Sequence, residues 1–552
     1  MAGRPTAWCS ALGTGAQGRV TLAYSGGPSI LAHGCRLQGA KEETMRPVET
    51  LLIVANLLTL LALAIPRPGV ARCAGGMVLL ALALAVVQVA VEGPRWQVIP
   101  ALALAGLFAL AWCVWRVGTA RGGALPRRTQ RFVAVLAVLL GVSGLGLSAA
   151  LPLALPVIRF PRPSGPYAIG TTTYQWVDAS RREVLSTDEG RRRALVVQVW
   201  YPAAPGAATP HAPYIRDADA VTTALATLHH LPAFTLHYLK YVTTNAVESV
   251  PMAADRPNYP VLIVLEGLTG YRQMTTFQVE ELVSRGYIVV GLDQPGAAAA
   301  VVFADGQHLA ITERFAQVNA LVDQSLSPSA APPTLNGQTF PDGLLPYLAQ
   351  DVSFTLDRLA DLNARDPQGR LTGRLDLAHV GVFGMSLGGM VAAEACLRDP
   401  RLGACLIVDV AMPADVVARG LRQPTMWITR PADTMRLERQ RAGGWAERDV
   451  VQTQETMRSV YAGLPGDGYF VQIPGTFHID FTDLSALSPL FPPLGFSGPL
   501  GSRRAHELVN AYTVAFFDRQ LRGAAAGLLD GASAQYPEVI FSSRRLGPQP
   551  PP

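Results

Sequence analysis

No two of the six cysteines, at positions 9, 35, 73, 113, 396 and 405, stand at C-x-x-C spacing, and no dense cysteine framework appears. A structural zinc site and a disulfide scaffold are thereby excluded, and Cys396 and Cys405 read as buried free thiols or, alternatively, as one bridge. The adjacent His229 and His230 have no partner at metal-ligand spacing and read as structural. Charge is also scarce: 16% of the residues are Asp, Glu, Lys or Arg, against 49% hydrophobic. The net charge of +5 comes largely from arginines beside apolar runs, not from a basic stripe interleaved with aromatics, which argues against a nucleic-acid partner. No metal and no organic cofactor is called for.

What is present in excess is apolar sequence. The positive mean hydropathy is high for a wholly soluble chain, and 552 residues exceed one ordinary domain. Residues 1–46 lack an acid before Glu42 and lack periodicity, so they read as a disordered leader, or as sequence ahead of a true start at Met45. Four apolar segments follow: Thr50 to Ile65, Cys73 to Val91, Val98 to Trp115 and Phe132 to Ile158. The last three approach or exceed the ~20 residues that span a bilayer; the first is short and leans on 47–49. Trp96, Trp112 and Trp115 lie near the segment ends, as interfacial anchors do. Arg116, Arg121, Arg127, Arg128 and Arg131 fill the third loop and Arg67 and Arg72 the first, whereas the second has only Arg95, near Glu92. By the positive-inside rule the arginine-rich loops are cytoplasmic, so a multi-pass membrane domain over 47–158 delivers everything after it outside the cytoplasm.

A Pro/Gly-rich linker at 159–166 separates that domain from a stretch of different pattern, 167–545, with a disordered tail at 546–552. Ala194 to Trp200, Val261 to Leu265 and Tyr287 to Leu292 read as strands; Gln278 to Ser284 and Asp351 to Asn363 read as helices. This alternation predicts an α/β fold with a mostly parallel central sheet. Two insertions, 211–250 and 315–346, read as lids over a site or as packing against the sheet edge.

The chemistry centres on Gly384-Met385-Ser386-Leu387-Gly388, a G-x-S-x-G sequence between an apolar strand and a small-residue helix. That context is the nucleophile elbow: a tight turn holds the serine hydroxyl at the carboxyl edge of the sheet, and Gly384 and Gly388 remove colliding side chains. The Leu387 N–H then starts a helix beside the reacting carbon, as an oxyanion donor should. A second donor is expected after Val261 to Leu265, in Glu266-Gly-Leu-Thr-Gly270, at Leu268. Serine needs a base and the base needs a carboxylate, in the chain order serine, acid, histidine. His478, after the strand Tyr469 to Ile473, fits as base; His506 falls in a terminal helix. For the acid, Asp409 and Asp433 each follow an apolar strand, and spacing leaves both open. Asp480 and Asp483 read as residues that orient the histidine loop.

From about Gly165 to Phe541 the chain resembles the bacterial relatives of platelet-activating factor acetylhydrolase, a branch of the α/β-hydrolase superfamily. The resemblance rests on Gly165-Pro-Tyr-Ala-Ile-Gly170, Val199-Trp-Tyr-Pro202, Gly267-Leu-Thr-Gly-Tyr-Arg272, Glu280-Glu-Leu-Val-Ser-Arg-Gly-Tyr287, the elbow, Gly475-Thr-Phe-His478 and Ala511-Tyr-Thr-Val-Ala-Phe-Phe-Asp518. It implies Asp409 as the acid in preference to Asp433, and oxyanion donors at Leu268 and Leu387. Glu266 and Met385 stand where that family commonly has histidines, a departure that bears on pocket polarity and not on the triad. The expected activity is serine ester hydrolysis on a membrane-anchored chain, with short-chain phospholipid or other lipid esters among the substrates. The alternatives are an acyltransferase with the same triad and a non-catalytic tethered hydrolase fold. A transporter reading fails on the near absence of ionisable residues in the spans.

Overall fold

A computed structural model describes residues 45–64, 68–120, 127–186, 188, 190–206 and 210–545, and it divides into two units at residues 156 and 157. The leader before residue 45, the tail after 545 and the loop positions Arg67 and Arg121 lie outside the described residues.

The first unit is four helices: α1 (Pro47–Ala64), α2 (Pro68–Val91), α3 (Ile99–Ala120) and α4 (Arg127–Ala154). They carry apolar stretches of 18, 19, 23 and 21 residues, the third beginning at Trp96 in a 3₁₀ turn ahead of α3, each long enough to cross a membrane. Large apolar side chains such as Leu79 (62% exposed), Leu110 (61%) and Leu140 (62%) face outward, which water would oppose and lipid would not. Inside, small residues admit their neighbours. A Cβ on Gly75 would lie 2.8 Å from Trp112, on Gly141 2.7 Å from Leu60, and on Gly144 2.9 Å from Leu104. One end of the bundle is polar, a feature not anticipated from the sequence. The Glu92 carboxylate caps α1 by accepting the N–H groups of Val48 (3.0 Å) and Glu49 (3.2 Å). Arg95 and Glu49 form an ion pair with each side chain 1% exposed.

The second unit carries an eleven-stranded sheet. Its strands are β1 (Ala168–Arg182), β2 (Arg192–Ala203), β3 (His211–Pro213), β4 (Thr243–Glu248), β5 (Tyr259–Leu265), β6 (Ile288–Asp293), β7 (Leu375–Met385), β8 (Leu402–Val408), β9 (Thr425–Thr429), β10 (Gly468–Gln472) and β11 (Ile540–Arg544). The order across the sheet is β11-β10-β9-β8-β7-β5-β6-β2-β1-β4-β3. From β10 to β6 every neighbouring pair is parallel; β2 is antiparallel to both β6 and β1, and β11 is antiparallel to β10. The parallel strands are buried along their length, as strands covered on both faces must be.

Two apolar cores flank the sheet. One contains Val352, Leu356 and Leu359 of α6 (Leu345–Ala364) with the elbow helix α7 (Leu387–Arg398). The other contains Val279 and Leu282 of α5 (Thr276–Ser284) with Tyr512, Phe516 and Phe517 of α9 (Ser502–Arg522). Gly381 lets α9 lie on β7: a Cβ there would come within 2.7 Å of the Phe517 ring. The insertion at 211–250 contains β3, a helix Ala218–Leu228, a 3₁₀ stretch Ala233–Tyr241 and β4, so part of it extends the sheet edge. The insertion at 315–346 forms a helix, Phe315–Leu326, and a small hairpin.

Candidate active site

Parallel β7, β8, β9 and β10 all end at one edge of the sheet, and Ser386, Asp409, Arg430 and His478 lie just beyond those ends in turn. Side chains as far apart in sequence as Ser386 and His478 are thus delivered to a common edge.

Ser386 has φ 57° and ψ −125°, and Asp409 has φ 50°, left-handed conformations that non-glycine residues avoid. Both are held by sheet-like bonds that continue past the strand ends, Ser386 N–H to Val408 O and Asp409 N–H to Ile428 O, each 2.9 Å. The elbow glycines are steric necessities. A Cβ on Gly384 would sit 2.3 Å from the Gly388 carbonyl group, and one on Gly388 would sit 2.2 Å from Leu265 O. Backbone therefore packs on backbone where α7 leaves the sheet.

The segment after β5 is a turn in which Gly270 N–H donates to Gly267 O at 2.8 Å, with Thr269 at φ 63°. It is fastened to the 297–299 segment by Thr269 N–H to Ala297 O and Ala299 N–H to Gly270 O, both 2.7 Å. Among the described residues, the N–H groups of Leu268 and Leu387 find no acceptor. Glu266 is buried with Oε1 accepting the Gln294 N–H at 2.9 Å, so its side chain braces the turn to the end of β6. Burial and the neighbouring Asp293 push its carboxyl well above the ordinary carboxylate range.

His478 Nδ1 hydrogen-bonds Asp409 Oδ2 at 2.7 Å. Asp409 is fully buried, and its other oxygen accepts the Thr429 hydroxyl at 2.9 Å. Burial alone would raise its pKa. The Arg430 charge and the His478 and Thr429 hydrogen bonds outweigh that, leaving the carboxyl below its ordinary value.

Asp433 lies elsewhere: on α8 (Ala432–Ala442), 94% exposed and paired with Arg436 at 2.9 Å. Asp480 folds its own loop, accepting from Phe477 N–H (2.7 Å), Gly498 N–H (2.7 Å) and the Ser497 hydroxyl (2.5 Å). Asp483, read from sequence as part of that loop, instead caps α5 through the N–H groups of Thr276 (2.7 Å) and Phe277 (3.1 Å). It ties the histidine loop to a helix some two hundred residues earlier in the chain, a contact that sequence proximity concealed. His506 stacks on Phe277 at 3.8 Å and hydrogen-bonds the Thr482 carbonyl at 3.0 Å. Three residues around the histidine were missed altogether: Arg430, Glu438 and Trp445. The signal for the first was a charge directly after the apolar strand Thr425–Thr429.

Comparison with known proteins agrees with this architecture. Residues 154–320 match the family model described as platelet-activating factor acetylhydrolase, isoform II, a match that includes the turn after β5 and ends before Gly384. A protein of Arthroderma benhamiae named as a probable 1-alkyl-2-acetylglycerophosphocholine esterase is 22% identical over 409 residues, 69% of this chain and 93% of that one. A solved structure of a ferulic acid esterase from Streptomyces cinnamoneus superimposes with a TM-score of 0.53 at 27% identity, covering 69% of this chain and 98% of that one. The family match, the esterase relatives and the shared sheet make this chain a carboxylic ester hydrolase of α/β-hydrolase fold, similar over residues 154–320 to platelet-activating factor acetylhydrolase, isoform II, with four apolar helices at its amino-terminal side.

Proposed function

We propose that the protein is a membrane-tethered serine esterase in which Ser386 is the nucleophile, His478 the base and Asp409 the acid, with oxyanion donors at Leu268 and Leu387. The observation that carries this reading is the 2.7 Å bond between His478 Nδ1 and a fully buried Asp409, at the strand edge where Ser386 sits in a strained turn. In the reaction His478 takes the Ser386 proton as the hydroxyl attacks the ester carbonyl, and the two N–H groups hold the negative oxygen. The imidazolium passes its proton to the departing alcohol, and water repeats the sequence to release the acid.

Residues 47–158 form the membrane domain and 167–545 the hydrolase. The catalytic unit lies outside the cytoplasm. Arg95, the one arginine of the second loop, is neutralised by Glu49 inside the bundle, so that loop presents little free positive charge against the five arginines of the third. A short-acyl lipid ester is the substrate class that combines the tether with the activity for which the Arthroderma relative is named.

The test uses the full-length protein in detergent. A fluorophosphonate should label it at Ser386, and Ser386→Ala should lose labelling and nitrophenyl-ester hydrolysis while keeping its melting temperature. Full activity in that variant would overturn the triad. Product analysis with added alcohols separates hydrolysis from acyl transfer, and a screen of glycerophospholipids by acyl length decides the substrate class.

A further inference from the structure

Arg430 is the residue in this region that the triad alone leaves unexplained. Its side chain is 0% exposed, and a buried guanidinium is costly unless its surroundings repay the lost hydration. Here they do so with groups that all touch the base. Arg430 Nε donates to Asp409 Oδ2 at 3.0 Å, the same oxygen that His478 Nδ1 engages. Arg430 Nη1 donates to Glu438 Oε2 on α8, and the other oxygen of Glu438 accepts the His478 backbone N–H at 3.2 Å. The guanidinium lies over the Trp445 ring at 5.2 Å, and that ring meets the His478 imidazole edge to face at 5.1 Å. The result is a closed circuit: Asp409, Arg430, Glu438 and back to His478 through its own backbone, with Trp445 against both the guanidinium and the imidazole.

We propose that Arg430 is a positioning residue for ester hydrolysis, one that holds Asp409 and Glu438 against His478 and keeps the resting imidazole neutral. This rests on the triad assignment above. The argument is one of charge. Two buried carboxylates beside an imidazole would favour its protonated form, and a protonated base cannot accept the serine proton. With Arg430 present, those two acids and one base leave a single negative charge, which the imidazolium of the transition state then cancels. Without it the same transition state would arise from a ground state already holding the proton.

The other groups around the imidazole do not substitute for this. Thr429, at the end of β9, is neutral and occupies the second oxygen of Asp409. Asp480, on the histidine's own loop, is buried and held by three donors, and burial raises its carboxyl above the ordinary value. Asp433 and Arg436 on α8 pair with each other at the surface.

The test is the pH dependence of kcat/KM for a short-chain nitrophenyl ester, measured on the full-length protein in detergent. Arg430→Gln should lower kcat by about tenfold or more and move the acid limb upward by about one pH unit. Glu438→Gln keeps an acceptor for the His478 N–H and leaves Arg430 less compensated, so its acid limb should move downward. Arg430→Lys keeps the charge and loses the fork, and should place its limb between wild type and Arg430→Gln. Shifts of opposite sign are what a purely structural role would not produce. The inference is overturned if the folded variants keep the wild-type limb or shift it in the same direction. Should Arg430→Gln fail to fold, Glu438→Gln decides alone, and an unmoved limb refutes the inference. Turnover surviving His478→Ala would instead refute the triad, which separates the two failures.

Discussion

Ser386, Asp409 and Thr269, in the turn after β5, are three of the six described non-glycine residues with positive φ, the others being His230, Ser249 and Asn336. Left-handed non-glycine residues cost of order 1–3 kcal/mol each, so the gathering of the first three at one strand edge marks a site over-determined by its surroundings. Gly388 is the corresponding steric requirement. Gly388→Ala would drive a methyl into Leu265 O and should reduce folded, active protein at least tenfold, as read by expression and by fluorophosphonate labelling. Asp409 and Asp433 give a paired test. Asp409→Asn should lower kcat by about 10³-fold or more, whereas Asp433→Asn, a change at a 94% exposed carboxylate, should stay within about twofold. Ser386 was legible because its glycine flanks encode a turn in consecutive residues. Glu438 and Trp445 were not, because neither adjoins a strand end in sequence and their relation to His478 is made across α8 and its following loop.

Among the secondary-structure elements, the buried parallel strands announced themselves by apolar runs, and β1 did not. Its 15 residues alternate buried and exposed positions over only part of their length and end in exposed polar sequence, so hydrophobic pattern alone under-reads them. The contact of α9 with the histidine loop carries a pH prediction. His506 is enclosed between Phe277 and Thr482, and burial holds its pKa down to about 4. A base whose folded pKa is depressed stabilises the fold fully above its unfolded value of about 6.5, and that stability is lost as pH falls toward the folded value. The melting temperature of the wild type should therefore drop more between pH 7 and pH 4.5 than that of His506→Gln, which has nothing to protonate. Equal slopes would show that His506 does not titrate with unfolding.

Taken whole, the chain joins an apolar bundle to an esterase. If the catalytic unit lies outside, protease added to intact cells should degrade it and leave a membrane-protected fragment containing the four helices. The same protease acting only on inverted vesicles would reverse the orientation. The polar end of the bundle, where Arg95 meets Glu49, belongs to the side on which α4 ends and the chain continues toward residue 157. Charge counting along the sequence treats Arg95 as a free cation near Glu92. The fold pairs it instead with an acid 46 residues earlier.

The sequence by itself determined the apolar spans, the alternation of strand and helix and the glycine-flanked turn around Ser386, because each is written in neighbouring residues or in a local period. Spacing left Asp409 and Asp433 both open and only the resemblance favoured Asp409; tertiary structure put Asp409 on His478, sent Asp483 to α5, and closed Arg430, Glu438 and Trp445 around the imidazole. Those choices depend on which strand ends lie side by side and which side chains are stripped of water together. Such relations connect distant residues through space, and the order of residues along the chain does not display them.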